Sequence, residues 1–318
     1  MLTVHIGLHK TGSSSIQIAL RRSALSTVVL PQVGDDQSDE SVFDRISNAA
    51  GFASVVSDEN LLGSCSDGYI RAPERVRLLA RALTGTPYKL VVYLRPQLQW
   101  IESVYIQHIQ SGGTAQPRDF LEALFNSPYV RWKRLLELLR AESGADHVVA
   151  RAYLPKRDVV GDFFTLAQLN VTGSSPYASR SNISLLAEQV PILRTINEAA
   201  SLTRPERQVI RGVLQQMASS STRQTSAFPG DAQELISETF REDWTVLSED
   251  PSCLSDCAEF LKGSTSFDSV RVYSGSSTDD QKVRDELASI MYELCNEKVR
   301  HDKTLMSRIK RRLTRVQG

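Results

Sequence analysis

The sequence predicts an α/β fold of three layers, a central parallel sheet between helices, followed by a mostly helical C-terminal extension. Three observations carry this. Short runs rich in β-branched residues, at residues 2–7, 52–58, 88–95 and 147–153, alternate with segments of helical periodicity. The run at 88–95 is apolar through most of its length, as strands buried on both faces of a parallel sheet are. At 318 residues the chain is long enough to bury one large core or to divide in two.

The elements follow in order. Residues 2–7 form the first strand, a loop carrying Lys10 and Gly12 comes next, and a helix begins directly after Ser15. Residues 34–40 read as a loop, and residues 52–60 as a short strand running into polar residues. A helix at 73–83 leads into the strand at 88–95, which Pro96 ends. Residues 97–110 are helical, with Ile101, Val104, Tyr105 and Ile109 on neighbouring positions. Residues 111–117 form a flexible break that suits a lid. Helices at 120–125 and 131–141, a strand at 147–153 and a helix at 159–169 complete the alternation. A further helix starts at Leu185. The stretch 217–233, rich in Ser, Thr and Gln, reads as a mobile loop or the end of the common core. The organisation is therefore an α/β domain over residues 1–216 and a helical extension over 217–318 that can pack on the same core. The extension includes an amphipathic helix at 279–316 and a short strand at 269–273; no internal repeat is present.

Charge is balanced, with 37 basic and 37 acidic residues, so no global field points to nucleic acid. Basic residues gather at 308–315, which reads as a solvated helix terminus; a contact with anionic lipid or polysaccharide is the alternative. The four cysteines, Cys65, Cys253, Cys257 and Cys295, offer no zinc-ligand spacing and fit a reducing compartment. The chain enters its first strand at once, with no signal-like segment and no apolar run of membrane-spanning length. The expectation is a cytoplasmic protein.

The first strand, loop and helix make a phosphate-sized anion site. Backbone N–H groups at a helix N-terminus point outward and the helix dipole favours negative charge. Gly12 admits close backbone approach, Lys10 adds a point charge, and Thr11, Ser13, Ser14 and Ser15 supply hydroxyls. The unit is P-loop-like but lacks the standard nucleotide-triphosphatase pattern: Gly7 and Gly12 have the right separation, yet Ser13 stands where the lysine belongs. The bland alternative is a strand–turn–helix with a serine cap.

A second segment points to the same crevice. The strand at 88–95 ends on Arg95, and Ser103 lies two helical turns beyond. An arginine at a strand's carboxyl end can clamp a phosphate through two parallel hydrogen bonds, with a hydroxyl completing the shell. Ligands of open α/β sheets sit at the carboxyl ends of the strands.

Residues 9–15, His-Lys-Thr-Gly-Ser-Ser-Ser, resemble the 5′-phosphosulfate loop of sulfotransferases, and Arg95-Pro…Trp100-Ile-Glu-Ser103 resembles their 3′-phosphate segment. The likeness is nearest to the bacterial and carbohydrate-type branch. It covers about the first 110 residues well and is looser to about residue 200, through residues 160–164 and 181–185. Two positions depart from the pattern: Ser14 and Ser15 stand where at least one threonine is usual, and His9 where many members have proline.

The resemblance implies a co-substrate, 3′-phosphoadenosine-5′-phosphosulfate, whose sulfuryl group passes to an acceptor hydroxyl or amine, leaving adenosine 3′,5′-bisphosphate. Lys10 would neutralise charge on the leaving oxygen, and the amides and hydroxyls of Thr11, Gly12, Ser13, Ser14 and Ser15 would hold the 5′-phosphate. Arg95 and Ser103 would hold the 3′-phosphate; Arg180 and Asn182 are candidates for a late loop closing over the nucleotide, with a helix-capping role for Asn182 or Ser184 as the alternative. No metal is expected. By resemblance the acceptor is a glycan, a glycolipid or a small molecule, as in polysaccharide modification, and the enzyme is cytoplasmic and bacterial.

A general base is also needed. Glu59, after the strand at 52–58, is the first choice; His9 and His108 are rivals. Trp100 and Tyr105 are candidates for stacking on adenine, though an amphipathic helix more often turns such residues into a core. Two other function classes stay open: a nucleotide kinase or triphosphatase, disfavoured by the misplaced lysine and by the lack of an obvious acidic strand end for magnesium, and a non-catalytic protein that binds a glycan or another protein.

Overall fold

The computed structural model describes residues 1–23, 27–29, 39–154, 157–169, 185, 187, 189–199, 203–217 and 226–249. The expectations for Arg180, Asn182, the elements at 269–273 and 279–316, the basic run at 308–315 and Cys253, Cys257 and Cys295 fall outside these residues.

Five strands pair in parallel in the order β2-β3-β1-β4-β5: β1 (Leu2–Ile6), β2 (Thr27–Val29), β3 (Val55–Asp58), β4 (Tyr88–Leu94) and β5 (His147–Ala152). The helices are α1 (Ser13–Arg22), α2 (Asp39–Ala50), α3 (Ala72–Ala82), α4 (Gln97–Gln110), α5 (Pro117–Phe125), α6 (Trp132–Glu142), α7 (Val159–Leu166), α8 (Gln189–Ala199), α9 (Arg204–Met217) and α10 (Gly230–Glu249). The expected α/β alternation with a parallel sheet is therefore present. β2 and α2 are additions to the sequence reading, and α10 begins inside the stretch expected to be a loop.

Every residue of β1 and β4 is buried, as central parallel strands require. α1 and α7 cover one face, where Ile16, Ala19, Leu20, Phe163 and Phe164 pack on Val55, Val91 and Tyr93. α3 packs against α2 and α6. Right-handed crossovers explain this arrangement: the chain leaves β1 toward β2 and leaves β4 in the opposite direction toward β5. The carboxyl ends of β1 and β4 thus border the topological switch point, where open α/β sheets bind ligands.

The described chain forms two compact units. One holds residues 1–100, 122–169 and 236–249, and the other residues 101–121, 185–217 and 226–235. In the first, α6 begins without a cap from its own Arg131. Asp243 of α10 substitutes: its carboxylate accepts from Trp132 N at 3.0 Å, Lys133 N at 2.9 Å and Gln97 Nε2 at 2.5 Å. Gln97 Oε1 in turn accepts from Trp244 Nε1 at 2.6 Å.

In the second unit, the segment expected to be a flexible lid is tied down. Asn197 Nδ2 donates to Ile109 O at 2.8 Å and Gly113 O at 2.9 Å, and Tyr105 Oη donates to Ala115 O at 3.1 Å. Tyr105 is 1% exposed, with its ring 5.1 Å from those of Phe120 and Phe228, so it is a core residue rather than a free stacking face.

Candidate functional site

The loop between β1 and α1 is built by short-range sterics. Gly7 N donates to Asp58 O at 2.9 Å, and a Cβ on Gly7 would stand 3.0 Å from Ser13 Cβ and 3.1 Å from Glu59 Cα. A side chain there would have to push Ser13 or the Glu59 backbone aside. Lys10 (φ 65°) and Gly12 (φ 82°) are both left-handed, and a Cβ on Gly12 would meet Tyr153 Cε2 and Val159 Cγ1 at 2.9 Å. For Lys10 this conformation costs about 1–2 kcal/mol, an expense that marks the backbone turn as specified.

Two of the expected hydroxyl ligands turn inward. Thr11 Oγ1 donates to Leu8 O at 2.6 Å and Ser13 Oγ to the same oxygen at 2.8 Å, and both side chains are buried. They brace the loop. The helix starts with Ser15 N and Ile16 N donating to Gly12 O at 3.0 and 3.2 Å, and Gly12 supplies no side-chain cap. Among the described residues, nothing accepts a well-formed hydrogen bond from the backbone N–H groups of Thr11, Gly12, Ser13 or Ser14. The hydroxyls of Ser14 and Ser15, both half-buried, are likewise without protein partners there. Amides at a helix N-terminus that the helix itself does not use suit an anion.

His9 is part of the brace. Its N–H donates to Tyr69 Oη at 3.1 Å, and Nδ1 lies 3.3 Å from the same oxygen. The Tyr69 hydroxyl, which can accept twice and donate once, thus holds His9 through both its amide and Nδ1. Burial holds the His9 pKa below its ordinary value, opposed by the negative charge of Glu59, and a hydrogen bond to the Asn60 side chain also favours the charged form. Nδ1 is thus engaged with Tyr69.

Arg95 follows β4 directly. Its Nη1 donates to Lys10 O at 3.3 Å and its guanidinium lies 5.9 Å from the centre of the Tyr153 ring. Lys10, Gly12, Arg95 and Tyr153 therefore meet at the carboxyl ends of β1, β4 and β5. Trp100, expected as a stacking candidate, is 0% exposed, and its Nε1 donates to His9 O at 3.1 Å, so it supports the loop from behind. Ser103 is on α4 beyond Trp100, in the second unit. His108 lies there as well, its ring 5.4 Å from that of Phe120, and burial lowers its pKa; it is a packing residue.

The acidic end of the third segment is resolved into two roles. β3 ends at Asp58, which is 1% exposed. Its Oδ1 accepts from Asn60 N at 2.8 Å, while Oδ2 is buried without a partner. Burial pushes the Asp58 pKa up to about 6, against the Asn60 hydrogen bond and the nearby Arg75 charge. Glu59 is half-buried, its backbone lies against Gly7, and its charge acts on His9, Cys65 and Tyr69. Of the two, Glu59 is the acid beside the loop, and Asp58 is a buried carboxyl that closes β3. Cys65, buried nearby, has its thiol pushed up to about 12 by burial and is inert.

Among the described residues no group of three or more His, Cys, Asp or Glu side chains is placed to hold a metal ion, and no helix is long and apolar enough to cross a membrane. Comparison of the chain with protein-family models, with curated proteins and with solved structures gives no match.

Proposed function

We propose that the chain is a sulfotransferase that uses 3′-phosphoadenosine-5′-phosphosulfate and acts on a glycan, glycolipid or small-molecule acceptor in the cytoplasm. The observation that carries the reading is the set of four open amides at Thr11, Gly12, Ser13 and Ser14, with Lys10 and Arg95 beside them at the switch point. These residues fit a ligand with two separate anionic groups. The open amides and the Ser14 and Ser15 hydroxyls would hold the 5′-phosphate, and Arg95 the 3′-phosphate, with Ser103 assigned to it by motif. Lys10 would neutralise the negative charge that develops on the bridging oxygen, the kind of preorganised electrostatic stabilisation that dominates group transfer. Glu59 is the residue best placed to take the acceptor's proton.

A second reading, a nucleotide kinase or triphosphatase, gains from Asp58. It ends β3 in register with Ile6, the last residue of β1, and so supplies the acidic strand end that such a reading needs for magnesium.

Calorimetric titration with adenosine 3′,5′-bisphosphate, in parallel with ATP plus magnesium, decides between them. Metal-independent binding of the bisphosphate is expected. Arg95→Ala should weaken it by about tenfold to a hundredfold, the loss of charge-assisted hydrogen bonds, whereas Lys10→Ala should spare affinity and abolish turnover. Preference for ATP with magnesium would establish the kinase reading instead, and binding of neither would point to a non-catalytic protein.

A further inference from the structure

Three buried aromatic side chains from separate elements meet behind the loop. Tyr69, in the turn before α3, stacks on Trp100 of α4 at 5.8 Å, and Trp100 stands edge-on to Trp132 of α6 at 4.9 Å. All three are 0% exposed, so none can touch a ligand. Their polar tips all point at the site. Tyr69 Oη holds His9 at both N and Nδ1, Trp100 Nε1 donates to His9 O, and Trp132 Nε1 donates to Arg95 O at 2.7 Å. The Arg95–Lys10 hydrogen bond then links the two supported segments, 85 residues apart in sequence, to one another.

We propose that Tyr69, Trp100 and Trp132 are positioning residues that fix the loop and Arg95 as a single receptor for a ligand with two anionic groups. Stacked rings in a close-packed interior keep their spacing, and an indole N–H has one direction in which to donate. The wall therefore transmits one geometry to both segments. The proposal rests on the reading of the loop and Arg95 as a nucleotide site.

The test uses the full chain and Trp100→Phe, Trp132→Phe and Tyr69→Phe, each of which keeps a ring and removes one polar tip. The third tryptophan provides the control: Trp244→Phe also removes a buried indole N–H, but one that serves Gln97 rather than the loop or Arg95. Two quantities are read, hydrogen exchange of the His9, Ser15 and Ile16 amides without ligand, and affinity for adenosine 3′,5′-bisphosphate. Trp100→Phe and Tyr69→Phe should speed exchange at these amides by about tenfold and weaken the bisphosphate by a similar factor, from one lost hydrogen bond. Trp132→Phe should weaken the bisphosphate, and Trp244→Phe should change neither. Protection in the middle of β1 and β4 should be retained throughout. Unchanged exchange in both loop variants, or equal effects from Trp244→Phe, overturns the wall. Failure of the parent protein to bind the bisphosphate would instead overturn the nucleotide reading and leave the exchange experiment to decide the wall alone.

Discussion

Acidification should destabilise this protein through His5, and the size of the effect follows from where the side chain sits. His5 is the penultimate residue of β1, 0% exposed, with Nδ1 2.8 Å from Ser57 Oγ and the ring 4.9 Å from that of Phe163. Nε2 is buried without a partner, so no group is placed to stabilise a second proton. Burial lowers the pKa from 6.5 to about 3. The folded state therefore refuses a proton that the unfolded chain accepts, and stability contributed above pH 6.5 is lost as pH falls toward 3. Each unit is worth about 1.4 kcal/mol, so the loss through His5 is about 2 kcal/mol at pH 5. Asp58 acts in the opposite sense below pH 6, and only a difference between variants isolates His5. The perturbation is His5→Val together with Ser57→Ala, which replaces both hydrogen-bonding partners by apolar groups. Urea unfolding at pH 7.5 and pH 5.0 should show the parent losing about 2 kcal/mol more than the double variant. The same loss in both proteins would refute the assignment of a buried, neutral imidazole.

Three other outcomes follow from the same kind of reasoning. Asp58→Asn should remove a pH dependence of the reverse sign: with its folded pKa raised to about 6, Asp58 contributes stability that is full below pH 3.8 and lost by pH 6. That loss is about 3 kcal/mol, and denaturant midpoints at pH 4 and pH 7 that shift equally in parent and variant would refute it. Gly12→Ala places a Cβ 2.9 Å from Tyr153 at φ 82° and should abolish bisphosphate binding in a titration; parental affinity would mean the loop tolerates the displacement. Asp243→Ala leaves two α6 amides and the Gln97 amide without their acceptor, which should cost about 3 kcal/mol in chemical denaturation; a loss below about 1 kcal/mol would show that water replaces the carboxylate.

How much of this was legible in the sequence depends on the range of the interactions concerned. β1, β3, β4 and β5 are readable because apolar runs between Gly, Pro and polar residues mark them. β2 has three residues, too few to carry a pattern, and the start of α2 at Asp39 is hidden by the polar run before it. The loop is readable because local residue types fix it, yet the inward turn of Thr11 and Ser13 is not, since serine and threonine can as easily bond their own backbone as a ligand. Asp58 and Glu59 differ by a single position, yet Asp58 closes β3 and is 1% exposed whereas Glu59 follows the strand and is half-buried, and the strand's end is not marked in the residues themselves. Tyr69 and Trp132 were invisible as site residues because they reach His9 and Arg95 from 60 and 37 residues away, a pairing that no local spacing encodes. Trp100 was noticed for its ring, but its N–H decides its role.

The cap that Asp243 provides to α6 has a consequence for how the chain is made. The carboxylate follows the amides it satisfies by 110 and 111 residues, and the Gln97 amide by 146. A nascent chain that has emerged only through β5 therefore holds a sheet edge and an α6 whose first turn is unfinished. Contacts of such sequence separation form late, because a large loop must close before they reward it. The first unit completes itself only after residues 101–121, 185–217 and 226–235 of the second have been synthesised, so it cannot mature ahead of them from the ribosome.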